Sequence, residues 1–64
     1  MKHPEITVQL TGENGNAFNL LGICRKAMRK AGLSRDEMTA FCEEAMLGDY
    51  DNLLRVCMEW FDVE

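Results

Sequence analysis

The chain is poor in the residues that most often announce chemistry. It has a single histidine, His3, and a single proline, Pro4. A nucleophile, base and orienting group must converge for catalysis, and a lone imidazole near the amino terminus is poorly placed to join such a set. The three cysteines, Cys24, Cys42 and Cys57, are odd in number and no two stand at CxxC spacing. A complete internal disulfide framework is therefore excluded, and a Cys/His zinc site has little to recruit. Each cysteine falls on the apolar face of a separate expected helix and reads as a buried, reduced thiol. No apolar run approaches the roughly 18 residues of a membrane span. The opening Met1-Lys-His-Pro-Glu5 lacks the apolar core of a secretory signal. These absences lead us to expect a soluble, cytoplasmic protein with no catalytic residues, no metal site, no cofactor and no membrane partner.

What is present fits one small domain. The chain has 64 residues, 47% of them hydrophobic, which argues against disorder. A chain of about 60 residues buries only roughly 60% of its unfolded surface, so no deep pocket of several hundred Å³ is expected. Residues 1–4 are expected to be flexible. The net charge of −4 conceals a division. Residues 1–32 hold five Lys/Arg against two Asp/Glu, whereas residues 33–64 hold two against nine. Such asymmetry marks either a face for a charged partner or two solvated helix faces that attract one another, and the second is the favoured reading.

Along the chain, Ile6, Val8 and Leu10 alternate with Thr7, Gln9 and Thr11, the period of a half-buried strand. Thr11-Gly-Glu-Asn-Gly-Asn16 supplies a turn, with Asn14 or Asn16 as the cap of the next helix. Gly12-x-x-Gly15 lacks the spacing of a dinucleotide fingerprint or a Walker loop, so a plain turn is preferred to a phosphate loop. Apolar residues at Ala17, Leu20, Leu21, Cys24, Ala27, Met28 and Ala31 then follow helical spacing, with Gly32 placed to end the helix. Gly22 inside that helix suggests close approach by another element, either the strand or a partner chain. Arg25, Lys26, Arg29 and Lys30 cluster in its last turns, where cations favour the negative end of the macrodipole. They also form a candidate docking stripe for phosphate or an acidic protein.

Ser34 and Glu37 make an S-x-x-E capping box, with Leu33 and Met38 as its staple, so a second helix starts near Arg35. Met38, Phe41, Cys42, Ala45 and Met46 make its buried stripe, and Gly48 is expected to stop it. Asp49 or Asp51 caps a third helix. Tyr50, Leu53, Leu54, Cys57, Met58 and Phe61 form its stripe, with Val56 and Trp60 on the flank. Trp60, as a partly exposed indole, is the candidate interface anchor. The alternating tail Phe61–Glu64 is a candidate short strand. A single strand cannot satisfy its own ladder. Either this tail pairs with residues 6–10, or two copies of residues 6–10 pair across a homodimer, the preferred alternative. The fold expected is α+β and mostly helical: one strand, three helices and a short final strand.

The run Thr7-Val-Gln-Leu-Thr-Gly-Glu-Asn-Gly-Asn-Ala-Phe18, Leu21-Gly22, the basic helix end at Gly32, and Gly48-Asp-Tyr-Asp-Asn-Leu-Leu54 closing on Trp60 resembles a group of short bacteriophage, prophage and bacterial proteins that are functionally uncharacterised. The resemblance covers roughly residues 6–63. It implies a phage or prophage setting in a bacterial cell and carries no active site with it. Gly48-Asp-Tyr-Asp51 lacks the ligand count of a calcium loop, and helix capping accounts for it. The expected function is a non-enzymatic interaction module, dimeric, that binds a host or phage protein. The alternatives are a nucleic-acid binder using Arg25, Lys26, Arg29 and Lys30, or an acidic mimic of nucleic acid that blocks a host protein. Against nucleic acid stand the pI of about 4.8 and the lack of aromatic residues between the four cations.

Overall fold

The computed structural model of the chain describes residues 2–12 and 15–64. It is mostly helical, with the order β1 (His3–Val8), α1 (Ala17–Ala31), α2 (Arg35–Ala45), α3 (Tyr50–Trp60) and β2 (Phe61–Val63). The expected architecture of one strand, three helices and a short closing strand is what the chain adopts.

The two strands pair in parallel, with His3 opposite Phe61, Thr7 opposite Asp62 and Val8 opposite Val63. An irregularity between His3 and Thr7 separates two short stretches of pairing. Backbone bonds extend the pairing at both ends. The Lys2 N–H donates to the Glu59 carbonyl at 2.9 Å, the Glu64 N–H donates to the Val8 carbonyl at 2.8 Å, and the Leu10 N–H donates to the Glu64 carbonyl at 2.7 Å. The tail thus gives β1 its partner within the chain. The reason for expecting a sheet shared between two copies falls away with it. The strand also begins earlier than residue 6. Lys2 bonds to Glu59, and the His3 ring lies 5.8 Å from Trp60 and 6.5 Å from Phe61, so the start of the chain is held rather than loose; Met1 lies outside the described residues.

Local chemistry sets the helix ends. The Asn16 side chain accepts from the Phe18 N–H at 2.8 Å and caps α1. Asn14, the other candidate cap, lies outside the described residues. Gly32 takes φ +85° and closes a Schellman turn: its N–H donates to the Arg29 carbonyl, and the Leu33 N–H donates to the Met28 carbonyl, each at 3.1 Å. Ser34 Oγ accepts from the Glu37 N–H at 3.2 Å, one of the two bonds of a capping box, and α2 starts at Arg35, while Glu37 Oε2 lies 3.2 Å from His3 Nε2. Asp49, rather than Asp51, caps α3, accepting from the Asn52 N–H at 3.0 Å.

Between α2 and α3 the structure departs from the expected stop at Gly48. The helix ends at Ala45, and the Asn52 amide donates to the carbonyls of Glu44 at 3.0 Å and Ala45 at 3.4 Å. These are carbonyls that a helix end leaves without intrahelical partners. A Cβ at Gly48 would stand 2.9 Å from the Asn52 Cβ. Gly48 is therefore needed for the close approach of Asn52, and Asn52 finishes the helix.

The core draws on every element: Ile6 and Val8 from β1, Leu20, Leu21, Cys24 and Met28 from α1, Phe41 and Ala45 from α2, Leu53, Val56, Cys57 and Trp60 from α3, and Phe61 from β2. No polar or charged residue is buried among the described residues. Phe41, Trp60 and Phe61 form an aromatic cluster with ring centroids 5.1–6.2 Å apart. The buried face of α3 is rotated from the expected stripe. Val56 and Trp60 turn inward, while Tyr50 and Met58 are exposed. The apolar residues of α3 cover too wide an arc to be buried together, and packing against α2 and β2 selects the Val56/Trp60 side.

Candidate interaction groove between the first two helices

On the side formed by α1 and α2 an open groove of about 700 Å³ runs between the helices. It is larger than expected for so short a chain, and it is a surface trough rather than an enclosed cavity. From α1 it is lined by Phe18, Leu21, Gly22, Arg25 and Arg29, residues that recur at three- and four-residue spacing on one helix face. From α2 come Arg35, Met38, Thr39, Cys42, Glu43 and Met46. The wall is thus apolar at the Phe18/Met46 end and carries three guanidinium groups, with one opposing carboxylate, Glu43.

A second hollow of about 230 Å³ adjoins the groove and shares Phe18, Leu21 and Met46 with it; Tyr50 lies on its far side. Phe18 is 78% exposed, Met46 63% and Tyr50 42%, and Leu47, the neighbour of Met46, is 83% exposed. Among the described residues, four of the five exposed large apolar side chains therefore lie at or next to this end of the groove. Isolated exposed apolar residues are commonplace, but a cluster of them beside a groove marks a contact surface.

The basic stripe expected from sequence is divided by the structure. Arg25 and Arg29 line the groove, whereas Lys26 and Lys30 are exposed outside it. Arg35, which sequence reasoning did not select, joins the two arginines from the start of α2. The separation of Arg35 from Arg29 in sequence hides this meeting, which depends on the turn at Gly32. None of these five cations is in a salt bridge among the described residues, where Arg55 pairs with Glu59 and the His3 ring lies against the Glu5 and Glu37 carboxylates. The favoured reading of the charge division, two faces drawn together, has no direct salt bridge between the cations of α1 and the acidic half behind it among the described residues.

Trp60 is placed differently from expectation. It is 3% exposed, its Nε1–H donates to Glu44 Oε2 at 3.3 Å, and Lys2 Nζ sits 4.4 Å above its ring. The start of the chain covers it, so the indole is a core group and cannot anchor a partner.

Gly22 has no task within the fold. Nothing lies within 4 Å of a Cβ built there, so neither the strand nor any other described element approaches it. A mid-helix glycine costs about 1 kcal/mol relative to alanine, and here no intramolecular contact offsets that cost. Its position leaves the groove floor bare.

The cysteines behave as packed thiols. Cys24 and Cys57 are fully buried with their sulfurs 3.6 Å apart. The hydrogen bond to Cys57 and burial together push the Cys24 thiol far above its ordinary range. Only Cys42 is accessible, and it opens onto the groove. Among the described residues no three His, Cys, Asp or Glu side chains gather where a metal ion could be held, and no helix is long and apolar enough to cross a membrane.

No family model matches the chain, and no curated protein or solved structure matches it.

Proposed function

We propose that the chain is a small non-catalytic protein-interaction module whose contact surface is the α1/α2 groove. The observation that carries this reading is the coincidence of an exposed apolar cluster, Phe18, Met46, Leu47 and Tyr50, with three arginines that have no salt bridge within the described chain. Both features leave surface that association would satisfy. The partner is a host or phage protein in the bacterial cytoplasm, a setting that rests on the resemblance of residues 6–63 to phage and prophage proteins. Because the tail pairs with β1 internally, binding does not require a second copy of the chain.

The experiment is photo-cross-linking in producing cells, with a photoreactive residue at Phe18 or, as control, at Met58. Met58 is exposed but lines neither hollow. A discrete protein adduct from position 18 and none from position 58 is expected. Equal adducts from both sites, or none from either, would overturn the reading. Adducts that nuclease removes would instead favour nucleic acid on Arg25, Lys26, Arg29 and Lys30.

A further inference from the structure

The groove is specific enough in shape and charge to define what fills it. The face from Phe18 to Arg29 spans eleven residue steps of α1, about 16 Å, or three helical turns. A trough of that length between two helices suits a third helix laid into it. We infer that the occupant is an acidic amphipathic helix of another protein, with its apolar side on Leu21, Met38 and Met46, its carboxylates on Arg25, Arg29 and Arg35, and its closest backbone approach at Gly22. This rests on the groove being the contact surface proposed above.

Three observations select this occupant. The first is Gly22. A helix position without a side chain lets a second backbone come close, and no described element of the chain makes that approach. The second is charge. Guanidinium groups pair best with carboxylates, often through two parallel hydrogen bonds, and three of them have no such partner here. The third is symmetry. A closed two-fold dimer lays the same patch on itself, which would bring three arginines against three with only Glu43 of each copy to offset them. Placing the acidic half of one copy on the groove of the next is a head-to-tail contact, which gives a ring or an open filament rather than a two-fold dimer. Nucleic acid fits the arginines but would leave the apolar floor of Leu21, Met38, Cys42 and Met46 facing phosphate, on a protein of net charge −4.

The test is selection of a displayed library of random peptides, each of roughly 12 residues to match the groove, on the intact protein. Enriched peptides should combine Asp or Glu with apolar residues at three- and four-residue intervals. Their affinity, read by fluorescence anisotropy, should fall at least about tenfold for the double variant Arg25→Glu/Arg29→Glu. Gly22→Ala should also weaken binding about tenfold while melting at a higher temperature than the parent. That pairing of effects separates loss of the groove from damage to the fold. Bound peptide should slow alkylation of Cys42. The inference is overturned by any of four results: no peptide is enriched, enriched peptides lack acidic residues, Gly22→Ala leaves affinity unchanged, or Cys42 is not protected. Salt-sensitive retention of oligonucleotides that Arg25→Glu/Arg29→Glu abolishes, or a dimer that the same variant dissociates, would overturn it in favour of those occupants. The cellular cross-linking is independent of the peptides, so failure of the occupant and failure of the contact surface are separately visible.

Discussion

Trp60 and Phe18 are both aromatic residues at or next to a helix end, yet Trp60 is 3% exposed and Phe18 is 78% exposed. The difference follows from what lies over each. Around Trp60 the chain brings both strands, the Phe41 and Phe61 rings, the Glu44 carboxylate and the Lys2 ammonium, so ring, edge and N–H all find partners. Phe18 borders the hollow between α1, the end of α2 and the turn before α3, and the described residues leave it uncovered. One side of this domain is built to be closed, and the other is left with apolar surface and cations that the fold does not use. In so small a chain this division is informative, because every exposed apolar side chain forgoes burial that a marginal core needs.

That contrast can be broken most sharply on the closed side. Phe61→Ala removes a fully buried ring from the aromatic cluster and should cost about 3–5 kcal/mol. Equilibrium denaturation should show the chain largely unfolded without denaturant. Asn52→Ala removes the donor that finishes α2, taking its bond from the Ala45 carbonyl and leaving the Glu44 carbonyl to the backbone N–H of Leu47, and should cost about 1–3 kcal/mol in the same assay. Ser34→Ala deletes the cap of α2 and should cost about 1 kcal/mol. On the groove side the sign reverses. Gly22→Ala should stabilise the fold by up to about 1 kcal/mol, raising the denaturation midpoint. Phe18→Ser and Arg25→Gln should each stay within about 0.5 kcal/mol of the parent, since neither residue is used by the fold. A loss above 1 kcal/mol at Phe18 would show that the groove wall is part of the core.

The helix starts were legible because capping is local. Ser34 announces its first turn outright, and Asn16 and Asp49 each stood as one of two candidates, through an oxygen two or three residues ahead of the N–H it accepts. Gly32 was equally clear, since a left-handed residue there follows from the glycine itself. What could not be read was long-range. Whether Phe61–Val63 pairs with β1 or leaves it to a second copy depends on where three helices deliver the tail, and periodicity is silent on that. The same delivery buries Trp60 and Val56 and exposes Tyr50 and Met58. Gly48 misled because glycine serves both as a stop and as a site of close approach, and only the position of Asn52 distinguishes them. For the groove, sequence supplied Arg25 and Arg29 only as members of the cluster Arg25, Lys26, Arg29 and Lys30, without separating them from the two lysines. Arg35 and the apolar wall required knowing that α2 folds back beside α1.

A partner that uses the α1/α2 groove would cover it in the cell and leave it open to solvent in the purified protein. Cys42 reports on it directly, because the other two thiols are fully buried. The measurement is the alkylation rate of Cys42 in purified protein and in producing cells, each divided by the rate at a cysteine introduced by Met58→Cys. Rapid labelling of purified protein at Cys42 is expected, with a several-fold lower ratio in cells that Arg25→Glu/Arg29→Glu restores. An equal ratio in both settings would contradict it.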